Sequence, residues 1–265
     1  MFTIMRIIYL TIALIAIASC KQSVDVKSEK EAPTSESKVE SKYTLSPFSS
    51  SVEFEGATLS LSSYSEGKMD FEVSGGGYEL GAQSTDVDSK MCANSAKGQH
   101  IHLIIDDNPY IAKYTDDFDH EMADGDYNML AFISRSYHES IKSAGASIAQ
   151  KITVKDNSIA SSESIDDAAI FYSRPKGTYV GKKNTDKVML DFFLVNADLG
   201  SDYHVSADIN GEKHDIDTWQ PYYIEGLPMG TNKITLSLLK SDGSLVDAPN
   251  NPVTREFELK ADPTE

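Results

Sequence analysis

Two stretches of this chain read as variants of one another, and that repeat constrains the fold more than any other feature. The segment DFEVSGGGYELG from Asp70 aligns with the slightly shorter DFFLVNADLG from Asp191, and HIHLIIDD from His100 aligns with HVSADING from His204. Further on, HEMADGDYNMLAFISRSYH (His120 to His138) falls on EGLPMGTNKITLSLLKSDG (Glu225 to Gly243), and the same register sets KITVKD from Lys151 on EFELKA from Glu256. Both copies end in one order: glycine turn, strand, connection, final strand. Such a repeat predicts two related domains in tandem and not one large one.

Each copy reads as β throughout. Alternating or β-rich runs occur at Ala57 to Leu61, Met69 to Val73, His100 to Ile105, Asn128 to Ile133, Val188 to Val195, Val205 to Ile209 and Lys233 to Leu239. Hairpin chemistry separates them at Asp124-Gly125, Asn210-Gly211, Met229-Gly230 and Asp242-Gly243. One short helical segment is expected near Ser140 to Gln150. The fold class that follows is all-β: two tandem antiparallel Ig-like β-sandwiches, with domains expected at residues 51–160 and 161–265.

The first nineteen residues, MFTIMRIIYLTIALIAIAS, carry one basic residue, Arg6, and then an apolar run too short to span a bilayer stably. They read as a signal peptide (1–19). The tetrapeptide Ile17-Ala18-Ser19-Cys20 resembles the lipobox of bacterial lipoproteins, which implies that Cys20 becomes the lipidated mature N-terminus and anchors the protein to a membrane. From Lys21 to about Lys42 the chain is rich in Ser, Glu and Lys and nearly free of large apolar side chains. It lacks the apolar surface needed to fold, so residues 20–50 are expected to form a lipidated, flexible linker. No aspartate follows Cys20, so the expected location is the outer membrane, facing the periplasm.

A formal net charge of -17 disfavours nucleic acid as a partner held by a general electrostatic field. No Gly-x-Ser-x-Gly elbow, phosphate loop or His-Glu-x-x-His helix is present. Paired carboxylates such as Asp106-Asp107 and Asp116-Asp117 match no calcium-loop spacing. The expectation is a protein without catalytic residues. Cys92 is the one cysteine beyond Cys20, so no intramolecular disulfide is available to the folded part.

The histidines stand out against this background. His100 and His102 flank one residue of a predicted strand, so both side chains leave the same face and can reach a common ion. His138 follows the strand that begins near Asn128. Imidazole suits copper and zinc, and Cys92 or Met91 would add a soft fourth ligand. The second copy aligns His204, Ser206 and Gly243 with these positions, which ties the set to the first domain and not to the fold. The alternative is that His100 and His102 hydrogen-bond within a polar edge.

The run GQHIHLIIDD, then a glycine turn and strand, then SRSYH resembles a family of small secreted bacterial β domains with a G-x-H-x-H pattern. This chain has Asp124-Gly125-Asp126-Tyr127 where that family has a proline and a further histidine. The whole chain resembles tandem-domain lipoproteins labelled as phosphopeptide-binding, for which Arg135, Arg174 and Lys176 are the basic residues on offer. Two function classes remain at this level. One is a tethered module for a protein or peptide partner, with Trp219, Tyr222 and Tyr223 of WQPYY as an aromatic contact patch or, alternatively, Trp219 as a core residue. The other is copper or zinc held by the first domain for storage, sensing or delivery.

Overall fold

The computed structural model describes residues 41–263; the signal peptide, Cys20 and most of the expected linker lie outside the described residues. Among the described residues the regular secondary structure is almost entirely strand. A short β1 (Thr44–Pro47) precedes β2 (Thr58–Ser65), β3 (Lys68–Ser74), β4 (His100–Ile105), β5 (Ile111–Lys113), β6 (Asp117–Asp119), β7 (Gly125–Ser134), β8 (Ser147–Lys155) and β9 (Ser158–Ser164). The second half contains β10 (Ala169–Arg174), β11 (Gly177–Val180), the single-turn α1 (Lys182–Thr185), β12 (Val188–Val195), β13 (Tyr203–Ile209), β14 (Glu212–Ile216), β15 (Tyr222–Glu225), β16 (Gly230–Lys240) and β17 (Val253–Lys260).

These strands make two sandwiches. In the first, sheet β2-β3-β6 faces sheet β5-β4-β7-β8-β9; in the second, β1-β15-β12-β10 faces β11-β17-β16-β13-β14. The strands β2 to β8 correspond one for one, in sheet order, to β10 and β12 to β17. The correspondence extends to individual hydrogen bonds. Arg135 N–H donates to the Glu139 carbonyl at 2.9 Å and Lys240 N–H to that of Ser244 at 2.8 Å, while Ile141 N–H reaches Ile133 and Val246 N–H reaches Leu238 at 3.1 and 3.0 Å. All of these are pairs in the register read from the repeat.

Three expectations need correction. Residues 44–47, placed in the linker, form β1 along β15, with Leu45 opposite Ile224. The reason is local: Tyr43 is buried in the second core and Leu45 packs against it, so two alternating apolar residues suffice to dock the strand. The boundary expected at 160/161 falls inside β9, which extends the first sandwich's sheet to Ser164. The helix expected near Ser140 to Gln150 is a bend leading into β8, whose Ser147 to Val154 pair with β7.

Each sandwich has its own core, the first around Met69, Phe71, Ile101, Leu103 and Ile133, the second around Phe192, Val205, Ile234 and Leu236. Between them lies a third apolar layer. Ile104, Leu130 and Phe132, on the outer face of β4 and β7, pack on Ala169, Phe171 and Phe193 from β10 and β12. Phe132 and Phe193 stack with centroids 5.2 Å apart. Strand β4 is therefore buried along all six residues, whereas its counterpart β13 alternates between buried and half-buried. That one difference between the copies decides the character of the histidine site.

Candidate metal centre

The period-two geometry of β4 sends Ile101, Leu103 and Ile105 into the first core and His100, His102 and Ile104 to the layer between the sandwiches. Strand β10 does the same from the opposite side: Ala169 and Phe171 enter the layer, and Ser173, next on that face, brings its hydroxyl to 3.3 Å from His102 Nδ1. The sequence expectation confined the site to the first domain. The second domain in fact supplies part of its wall, because the two sandwiches share one apolar seam.

His100 and His102 are fully buried, and their Nε2 atoms lie 2.8 Å apart. His138 Nδ1 stands 3.0 Å from His100 Nε2. One nitrogen from each of the three rings falls within 4.8 Å of the others. His100 Nδ1 is 2.8 Å from the Gly98 carbonyl, which can only accept, so Nδ1 carries the proton and Nε2 presents its lone pair. Gly98 has a φ of +85°, and a Cβ there would stand 2.2 Å from the Gly81 carbonyl oxygen. Only glycine fits, and the close approach it permits places the carbonyl that fixes the tautomer of His100.

His138 occupies a costly conformation. Its φ is +71°, at the position where the repeat has Gly243 with a φ of +81°. The same turn is made twice, once with the residue suited to it and once with a histidine held in a region that side chains disfavour. Strain of this kind persists where the surrounding structure enforces it and clusters at functional sites.

Aromatic rings enclose the set. Tyr110 stacks on His102 with a centroid separation of 3.6 Å and an interplanar angle of 6°, and its hydroxyl is 3.3 Å from His138 Nδ1. Tyr114 packs on His100 at 4.9 Å. Neither tyrosine has a periodic or motif signal in the sequence; Tyr110 reaches the site from the β4–β5 connection and Tyr114 from the residue after β5. Burial pushes the His100 imidazole down to about 4, and burial followed by the neighbouring cationic groups and imidazoles holds His102 and His138 well below the ordinary range. All three rings are neutral at pH 7, the form that ligates metal.

A single lone pair on His100 Nε2 thus faces two ring nitrogens at hydrogen-bond distance and can accept a proton from only one of them. A cation between the rings resolves the conflict. Tetrahedral coordination at about 2.0–2.1 Å separates ligand nitrogens by roughly 3.3 Å, a few tenths of an ångström more than the two spacings to His100 Nε2, with all three nitrogens within 4.8 Å of one another. The outer nitrogens of His100 and His102 are held by Gly98 and Ser173, the arrangement that orients ligating imidazoles.

The other expected ligands and contacts are elsewhere. Cys92 packs with Phe48, Tyr137, Met189 and Tyr223 in a separate buried cluster, where burial pushes its thiol up to about 12, and Met91 is 54% exposed. Cys92 is not part of the three-histidine set. The WQPYY run is no surface patch. Tyr222 belongs to the second core and Tyr223 to the cluster around Phe48, while Trp219 meets the Phe193 ring edge-on at 5.1 Å and donates its Nε1–H to the Phe192 carbonyl at 3.0 Å. Trp219→Phe should cost about 1–2 kcal/mol through that lost hydrogen bond and ring area, read as a lower denaturation midpoint with an unchanged denaturant slope.

No family model matches the chain, and no curated protein matches it. Among solved structures it is similar to the fibronectin(III)-like modules of Clostridium thermocellum CbhA, at 14% identity over 36% of this chain and 100% of that one, TM-score 0.29. It is also similar to the central fibronectin-III array of RIM-binding protein (8% identity, 83% and 71% covered, TM-score 0.26) and to a Ca2+-stabilized adhesin of an Antarctic bacterium (12% identity, 77% and 49% covered, TM-score 0.25). At such TM-scores these likenesses add nothing to the architecture given by the strand order, and none bears on function.

Proposed function

We propose that this protein is a membrane-tethered binding protein whose three-histidine centre holds one copper or zinc ion for storage, sensing or delivery. The observation that carries the reading is that one nitrogen from each of three neutral imidazoles, two of them fully buried and the third half-buried, lies within 4.8 Å of the others, with the tautomer of His100 fixed by Gly98. Neutral imidazole is a ligand for both metals, and the strained His138 is explained by the reach it gives to the third nitrogen. An aromatic surface patch for a peptide partner has no counterpart in the burial of Tyr222 and Tyr223. In this reading Cys20 carries the lipid that anchors the chain to the periplasmic face of the outer membrane.

Elemental analysis of the full chain, purified in detergent after exposure to copper or zinc and desalting, tests the proposal. One equivalent of metal should remain on the native protein and under a tenth of that on His102→Ala. Equal metal content in the two would refute it.

A further inference from the structure

Arg174 is a buried guanidinium without a counter-charge among the described residues. It is 5% exposed, and its Nε and Nη2 both donate to one acceptor, the Tyr179 hydroxyl, at 3.2 and 2.7 Å. Nη1 is shielded from solvent and has no hydrogen-bond partner among the described residues. Arg135, buried to a similar extent, shows the ordinary solution: it donates to the Val52 carbonyl and lies within 3.7 Å of Glu53 and 3.5 Å of Glu139. The ionisable groups that act on Arg174 are instead Tyr110, Tyr179 and Cys92. A phenol and a thiol are protonated at pH 7 in their ordinary ranges, so neither Tyr110 nor Cys92 supplies negative charge. A second cation stands close by, since Lys176 Nζ donates to the Tyr110 carbonyl at 2.6 Å and sits 3.9 Å from the centre of the Tyr110 ring.

Two cations thus stand at the seam, and the buried carboxylate across the ladder from Arg174, that of Asp191, is taken by the Ser140 N–H and the Lys142 ammonium. A buried unpaired charge is strongly disfavoured unless a partner neutralises it. The backbone is shaped around this residue: the pairing of β10 with β12 slips between Tyr172 and Arg174, an irregularity of the type that re-aims a side chain. We infer that the free Nη1 edge of Arg174, at the seam between the two sandwiches, binds a small inorganic anion of chloride to phosphate size. The guanidinium offers paired N–H donors suited to such a ligand. The inference does not require the metal, because Arg174 lacks a counter-charge whether or not an ion sits among the histidines.

The test is thermal unfolding of the full chain in detergent, with EDTA present so that metal plays no part. Sodium chloride, sodium phosphate and sodium gluconate are compared at one ionic strength, gluconate being too bulky for a buried seam. A ligand at ten times its Kd should raise Tm by roughly 3–5 °C. The expected result is that rise in chloride or phosphate relative to gluconate, with the rise lost in Arg174→Met. Arg174→Lys, which keeps the charge and loses the fork, should retain a smaller rise and serves as the readout if the methionine variant does not fold. Equal Tm values in all three salts would overturn the inference, and so would an undiminished rise in both variants.

Discussion

Without metal, the protein should lose stability as pH falls from about 6.5 towards 4, with His100 alone accounting for about 3 kcal/mol. The sign follows from where the protons bind. In the unfolded chain His100 titrates at its ordinary value of 6.5, whereas burial in the fold pushes it down to about 4. Between these values the unfolded state takes up a proton that the folded state refuses. The contribution is whole above pH 6.5, declines through the interval and levels off below about 4. His102 and His138 are shifted the same way by the same burial and steepen the loss. Denaturant melts at pH 7, 6 and 5 measure it, and imidazole proton resonances provide the check. Should those three rings titrate near 6.5 in the folded protein, the burial account of the site is wrong.

Asp191→Ala should destabilise the protein by about 3–5 kcal/mol, towards the lower end. Asp191 is fully buried on β12, where its carboxylate accepts the Ser140 backbone N–H at 2.9 Å and the Lys142 ammonium at 2.7 Å. Both partners belong to the turn of the first sandwich that follows His138. Removing the carboxylate leaves a cation and a backbone donor facing an apolar seam. Lys142, with its side chain 17% exposed, can recover part of the loss by turning to water, which sets the lower figure. Asp191→Asn, which keeps an acceptor for Ser140, should cost less. A value below 1 kcal/mol for the alanine variant, from equilibrium unfolding, would show that the pair does not hold the seam.

The fate of Asp191 also shows how far the sequence could be read. It aligns with Asp70, which is exposed on β3; the apolar run VMLDFFLV around Asp191 signals a strand covered on both faces where KMDFEVS alternates, but not what covers it. What separates them is the neighbour that covers one outer sheet face and not the other. The repeat carried the strand order and hydrogen-bond register of both copies, because alternation and turn residues are local signals. It also located His100, His102 and His138, since the second copy lacks two of them. Long-range packing left no such trace. The second sandwich's contribution of Ser173, the stacking of Tyr110 on His102 and the burial of Tyr222 and Tyr223 all depend on which faces meet. Cys92 was a plausible soft ligand by residue type alone, and its packing against Phe48 and Tyr137 removes it.

The strand made by Thr44 to Pro47 has a consequence for anyone dividing this molecule. It precedes the first sandwich in the chain yet completes a sheet of the second, along Tyr222 to Glu225, so the first sandwich is in topological terms an insertion. A fragment beginning at residue 161 would lack that strand and bare the hydrogen-bonding groups of β15 as an unprotected edge, an invitation to intermolecular strand pairing.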